Sequence, residues 1–349
     1  MLPPRVVRRL VLAPLVMVIA VALAVLYPLL ALMTRVLGLA GLSRRDRTRS
    51  LRLLSFALVW LMSETLALFM CLALWVASGF GGRLHTEPYQ DRHYAVMRWF
   101  LDRVYRAASE TFGLRVEVEE PELTAAEQAA RLARPVLVFS RHAGPGDSFL
   151  LARHLLSVYG RRPRVVMKAS MQLDPSVDVV GNRLPNAFIQ PRRTGGKVSV
   201  AEIRRLARGL GPKDALVLFP EGGNWTPGRW RRAIRRLESG GRRDLAARAR
   251  DMPNLLPPRA SGALAAIESC PEADVIFVAH AGLDKLVTAG DVWRNLPLTE
   301  VVRARWWRVP AGEVPRSLGH EEQVTWLYDW WRRVDEWISG YHGEGSGVS

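Results

Sequence analysis

The sequence predicts an α/β fold: a mixed, largely parallel sheet flanked by helices, preceded by N-terminal membrane helices. Two observations predict it. From about residue 84, short apolar runs of strand length alternate with polar stretches of helical character, the pattern of a largely parallel sheet joined by crossover helices. Before that point, residues 10–34 carry no charge and are dense in Leu, Val and Ala. At about 1.5 Å per residue this run exceeds the roughly 30 Å hydrocarbon core of a bilayer.

Composition narrows the class. A chain of 349 residues, 49% apolar with 12 Trp, can bury a large core, and disordered or collagen-like readings fall. Cys71 and Cys270 are too few for a disulfide framework or a cysteine zinc site, and a reducing compartment fits them. The net charge of +16 points to a polyanionic partner, either a nucleic acid or an anionic membrane surface.

At the N-terminal end, a signal peptide is disfavoured because the apolar run outlasts a typical signal core and no small-residue cleavage site leads into a polar segment. A second apolar stretch, residues 53–82, is interrupted by Glu64. A carboxylate at mid-depth must face protein, water or headgroups, so this stretch either spans or lies in one leaflet. The loop between the two carries Arg35, Arg44, Arg45, Arg47, Arg49 and Arg52 against Asp46, which places it in the cytoplasm by the bias of positive charge. Two full spans would put everything after residue 83 outside the cytoplasm; one span with the N-terminus outside, followed by an interfacial helix, keeps the rest of the chain inside. The domain reading is a membrane segment over 1–83, a catalytic domain over 84–340 and a tail over 341–349.

In the soluble part, strands are expected at 115–119, 136–140, 164–168, 187–190, 215–220 and 275–280. Helices are expected at 147–159, 198–208, 229–237 and 259–268. Residues 321–339 read as a terminal helix, with Val324, Leu327, Trp331, Val334 and Ile338 forming a buried stripe at spacings of 3 and 4. Trp326, Trp330 and Trp337 fall off that stripe, as packing residues or as residues facing a bilayer interface.

Two strand ends carry the chemistry. The run 136–140 leads into Arg141-His142-Ala143-Gly144-Pro145-Gly146-Asp147, a tight turn opening a helix beyond the carboxyl end of a strand, where α/β sheets keep their functional loops. The spacing His142-x4-Asp147 can fold the carboxylate back onto the imidazole, which suits a general base. Equally, Asp147 can simply cap the following helix. The second feature is Phe219-Pro220-Glu221-Gly222-Gly223-Asn224, a strand end with backbone amides open to an anion or substrate.

Together these blocks resemble the PlsC-like glycerolipid acyltransferases, the 1-acylglycerol-3-phosphate and lysophospholipid acyltransferase family. Further blocks occur in the family's order. Val166-Met167-Lys168 with Asp174-Pro175 resembles its lysine segment, and Ala187-Phe188-Ile189-Gln190-Pro191-Arg192-Arg193 resembles its acceptor-binding block. Asn254-Leu255-Leu256-Pro257-Pro258-Arg259-Ala260-Ser261-Gly262 resembles a Leu-x-Pro-Arg-x-x-Gly stretch. The likeness covers about residues 84–340 and includes a strand at 305–310. It departs at Gly223-Asn224, where the family usually has Thr-Arg, and at Pro191, an extra residue that makes Arg192 and Arg193 rivals for one role.

The resemblance implies acyl transfer from acyl-CoA or an acyl carrier protein to the hydroxyl of a lysophospholipid, with no cofactor and no metal. It implies His142 as base and Asp147 as its orienting partner. The acceptor phosphate falls to Arg192 or Arg193, helped by Lys168 and Arg259, and Phe219, Pro220, Glu221 and Gly222 line the substrate site. Glu221 is expected to bind an acceptor hydroxyl or organise the basic residues. Backbone amides near Gly144–Gly146 or Gly222–Gly223 are expected to receive the oxyanion. Cytosolic donors favour a membrane protein with its catalytic domain on the cytoplasmic face.

Competing chemistries lack their motifs. No Gly-x-Ser-x-Gly elbow is present, and Thr194-Gly195-Gly196-Lys197-Val198 only imitates a phosphate loop. His85, His93, His154, His280, His320 and His342 are scattered, and each reads as surface or core. Residues 228–250 hold nine Arg against Glu238 and Asp244, which could suit nucleic acid. Anionic lipid headgroups beside a membrane anchor explain them more simply, at about 1 kcal/mol each near the surface, and no nucleic acid is expected.

Overall fold

The computed structural model describes residues 2–39, 43–122, 124, 133–144, 146–189, 195–284 and 289–345. Its centre is a seven-stranded sheet in the order β1-β7-β6-β2-β5-β3-β4. The strands are β1 (Val116–Glu119), β2 (Val136–Ser140), β3 (Arg162–Lys168), β4 (Ala187–Ile189), β5 (Asp214–Leu218), β6 (Asp274–Ala281) and β7 (Val302–Val309). Every neighbouring pair is parallel except β6 with β7. The predicted mixed, largely parallel sheet is therefore present. β3 begins at Arg162, two residues before the expected start, because Arg162 and Pro163 pair with Asp214 and Ala215.

The central strands are buried on both faces, and alternate residues feed two different cores. Leu137, Phe139, Leu216, Leu218, Val275 and Phe277 point to one face. There they meet helices Gly195–Ala207, Ala260–Ser269 and His320–Gly345. The terminal helix buries the predicted stripe: Val324, Leu327, Trp331, Val334 and Ile338 are all 3% exposed or less. Trp326 and Trp330 pack on the Phe277 ring, Trp330 stacked on it at 4.8 Å. Trp337 Nε1 donates to Glu119. These tryptophans serve the sheet, so a bilayer-facing role for them is corrected.

Val136, Val138, Ala215, Val217 and Ile276 point to the other face. It is covered by helix Asp147–Arg153 and the π-turn His154–Val158 that extends it. Outside lies helix Glu87–Phe112, which no sequence expectation covered, and then the N-terminal hairpin.

Two helices are long and apolar enough to cross a membrane, over Arg5–Val36 and Arg45–Ala77. They run antiparallel: Ala13 shares a cluster with Ala67 and Leu68, and the Tyr27 hydroxyl lies 2.9 Å from Ser55 Oγ. The hairpin is fastened to the domain. Arg8 Nη2 and Arg9 Nε reach the buried Asp178 carboxylate at 2.7 and 3.0 Å. Arg49 donates to the carbonyls of Arg294 and Leu296, and Arg52 to that of Thr111. At its other end Arg183 donates to the carbonyl of Cys71. Helix Arg44–Ala77 thus rests on the domain at both ends. Glu64, 3% exposed, faces protein, one of the placements expected of it.

Candidate active site

β2, β3, β4, β5 and β6 run the same way, and β1 and β7 run against them, so the carboxyl ends of those five strands share one edge of the sheet. β2 delivers His142 to this edge and β5 delivers Phe219–Glu221. Lys168 closes β3, and His280 lies near the end of β6.

The turn after β2 folds back as the His142-x4-Asp147 spacing predicts. His142 Nδ1 lies 3.0 and 3.1 Å from the two Asp147 oxygens. Asp147 does not cap the helix; Gly146 occupies that position and makes no side-chain cap. The carboxylate instead accepts the backbone N–H groups of Ala143 and Gly144 at 2.8 and 3.1 Å and the Ser148 hydroxyl at 3.1 Å. Burial opposes its charge, but the His142 hydrogen bond, the two neighbouring imidazoles and the Gly144 N–H outweigh it. They hold Asp147 below the ordinary carboxylate range. Nδ1 is therefore the protonated nitrogen. Nε2 has no hydrogen-bond partner among the described residues, and the side chain is 17% exposed. A neutral imidazole fixed in this tautomer, with Nε2 free, can take a proton from a hydroxyl.

Glu221 is a tie between loops. One oxygen accepts the His142 N–H at 2.8 Å and the other the Leu256 N–H at 2.9 Å. Burial pushes its carboxyl up to about 8, against those two donors and the Arg141 charge. Its oxygens are committed to backbone, so it anchors the His142 loop to the segment before Arg259. Phe219 lies against the imidazole, ring centroids 4.6 Å apart. The Pro220 carbonyl accepts the Arg259 N–H. Gly222 has φ +68°, and a Cβ there would lie 2.7 Å from Arg259 Cζ, so glycine is required on both counts.

Lys168 and Arg259 are exposed at the same edge. Burial of its stem and the Arg236 charge press the Arg259 guanidinium below its ordinary value. Arg192 and Arg193, with Gln190 and Pro191, lie outside the described residues. Of the amides expected to hold an oxyanion, Gly144 is spent on Asp147 and Gly222 on the Phe219 carbonyl. Gly146 and Gly223 keep N–H groups with no partner among the described residues.

Two features of the site were not read from the sequence. Beneath helix Asp147–Arg153 lies an apolar cavity of about 110 Å³, partly open to solvent, lined by Val136, Val138, Leu151, Leu155, Ile276 and Trp306. Ser140, Asp147, His280 and Tyr159 also line it. The second feature is His280, whose Nε2 lies 3.6 Å from Asp147 Oδ2 and 3.2 Å from the Arg141 carbonyl. Burial and the Arg141 charge hold it below the ordinary histidine range. Only the position of β6 beside β2 brings it to Asp147.

Residues 115–252 match the family model described as Acyltransferase. This segment is similar to that family. Searches of curated proteins and of solved structures each found no match. The matched segment holds His142, Asp147, Lys168 and Glu221, and ends before Arg259 and the β6 and β7 strands that complete the sheet. An acyltransferase domain needs a base for the acceptor hydroxyl and an apolar place for the acyl chain. The His142–Asp147 pair and an apolar cavity lined in part by Asp147 occur together here.

Proposed function

We propose that this chain is a membrane-attached O-acyltransferase that moves an acyl chain from a thioester, acyl-CoA or acyl carrier protein, to the hydroxyl of a lysophospholipid such as 1-acylglycerol 3-phosphate. The observation that carries this reading is the His142–Asp147 pair beside an apolar cavity that Asp147 helps to line. The acyl chain occupies that cavity and brings its thioester carbonyl beside His142. His142 Nε2 takes the proton of the acceptor hydroxyl as its oxygen attacks the carbonyl carbon. The tetrahedral oxyanion is met by the open amides of Gly146 and Gly223. On collapse the C–S bond breaks, the new ester leaves, and the imidazolium returns its proton to the departing thiolate. Arg259 and Lys168, with Arg192 and Arg193, supply the cations for an acceptor phosphate. No acyl-enzyme is formed.

The attachments of the hairpin support an arrangement in one leaflet. Arg8 and Arg9 on Asp178 keep the start of the first helix beside the catalytic domain, which argues against the expected N-terminus outside. The exposed side chains of Leu10, Leu15, Val18, Val25, Leu29 and Leu32 then meet lipid, and the domain stays on the cytoplasmic face. The test is labelling with a membrane-impermeant thiol reagent, using Leu2→Cys or Ser43→Cys with Cys71 and Cys270 replaced by Ala. Protection of both sites in intact cells supports the arrangement, and labelling at position 2 overturns it. The activity itself is tested with purified protein, labelled acyl donor and a panel of lysophospholipids. Transfer to at least one of them is expected; transfer to none rejects the reading.

A further inference from the structure

Helix Pro227–Ser239 carries more positive charge than the reaction above uses. It starts at the Thr226 cap, directly after the turn in which the Trp225 N–H donates to the His142 carbonyl. Trp230, Ile234 and Leu237 turn inward onto Ala246 and Ala249. Arg229, Arg231, Arg232, Arg235 and Arg236 are all exposed.

The arginines of this region fall into two groups. Arg242, Arg248 and Arg250 are tied to Glu321, Asp329 and Glu238. Arg231, Arg232, Arg235 and Arg236 make no ion pair with any described residue. Nearer the site, Arg229 donates to the Asn224 carbonyl at 3.0 Å, and Arg259 stands over Gly222 within the field of Arg236. Unpaired positive charge therefore runs without a break from the outer helix to the substrate edge. The helix is 13 residues long, or about 20 Å. That span matches a protein surface better than the compact phosphate cluster of a coenzyme.

Its direction decides the partner. The membrane hairpin packs on the sheet face of Val136 and Val138, through helices Glu87–Phe112 and Asp147–Arg153. The arginine helix belongs to the opposite face, that of Leu137 and Phe139. A domain resting on lipid through the first face turns the second towards water.

We propose that the arginine face of helix Pro227–Ser239 docks an acidic acyl carrier protein, which presents its thioester to the edge of the sheet. This rests on the acyl-transfer reading above and chooses between its two donors. Charge complementarity on an open surface acts mainly on encounter and on partner choice.

The test compares one acyl chain carried by acyl carrier protein and by CoA, with the same lysophospholipid, at low salt. Arg231, Arg232 and Arg235 are replaced together by Ser; none of them touches the site. The KM for the carrier protein should rise about tenfold, while KM and kcat with acyl-CoA stay unchanged. The corresponding triple Lys variant should restore the carrier KM. Wild-type turnover of the carrier donor should fall steeply with salt, and that of acyl-CoA should not. An equal rise for both donors, no rise for either, or turnover of acyl-CoA alone overturns the proposal and leaves the acyltransferase reading intact. So does a triple Ser variant whose defect is lost retention on anionic vesicles or on DNA. Failure of wild type with both donors rejects the acyltransferase reading itself.

Discussion

The two faces of the sheet are built from the same strands and filled in opposite ways. On one, Phe139 and Phe277 meet edge to face, with Trp330 stacked on Phe277 and Trp331 fully buried, its indole N–H on the Leu256 carbonyl. On the other, Val136, Val138 and Ile276 border an apolar cavity that Asp147 also lines. Interiors are ordinarily close-packed, so an unfilled apolar space beside the His142–Asp147 pair suits a ligand. The difference separates a face that holds the fold from a face that holds a ligand.

Substitutions on the two faces should behave differently. The largest effect is expected at Trp331→Ala, which empties a fully buried site and strands the Leu256 carbonyl; it should cost about 3–5 kcal/mol in denaturant unfolding. Asp178→Ala should come next, about 3 kcal/mol, because it leaves Arg8 buried without its carboxylate. Its distinguishing readout is proteolytic release of the hairpin. On the open face, Leu151→Trp should change stability by less than about 1 kcal/mol, since it fills space instead of crowding a packed core. The same change should move donor preference towards shorter acyl chains. A large loss of stability with unchanged chain preference would erase the contrast between the faces.

The subtlest prediction concerns pH. Burial raises Glu221 from 4.5 to about 8, so the folded state binds a proton more tightly than the unfolded chain. Its contribution to stability is complete below about 4.5 and is lost as pH rises through about 8. His280, shifted downward, contributes in the opposite sense and only below its ordinary value of 6.5. A fall in melting temperature between about pH 6.5 and 8 should therefore trace to Glu221. Glu221→Gln should flatten that fall, and an unchanged slope would remove Glu221 as its source.

Much of this was legible from the sequence because the signals were local. Apolar runs gave six of the seven strands to within a few residues, and the family resemblance gave the strand at 305–310. Spacings of 3 and 4 gave the buried stripe from Val324 to Ile338. The pairing of His142 with Asp147 followed from a short turn. Helix Glu87–Phe112 was missed, although Tyr89, His93, Val96, Phe100, Val104 and Ala107 recur at helical spacing and are buried. Its many charges hid that stripe. Other features depend on partners distant in sequence. Glu221 is a tie only because Leu256 is folded beside His142. His280 reaches Asp147 only because β6 lies next to β2, and Arg8 finds Asp178 only after the hairpin has docked. The cavity is a property of two layers and has no motif.

The central claim is that Nε2 of His142, with Nδ1 held by Asp147, takes the acceptor proton. The direct measurement is kcat for acyl transfer to a lysophospholipid by wild type and His142→Ala, with circular dichroism confirming that both are folded. A loss of about 10²–10⁴-fold in kcat is expected, the range a general base supplies. Retention of more than about a tenth of wild-type kcat by a folded His142→Ala protein would contradict the account.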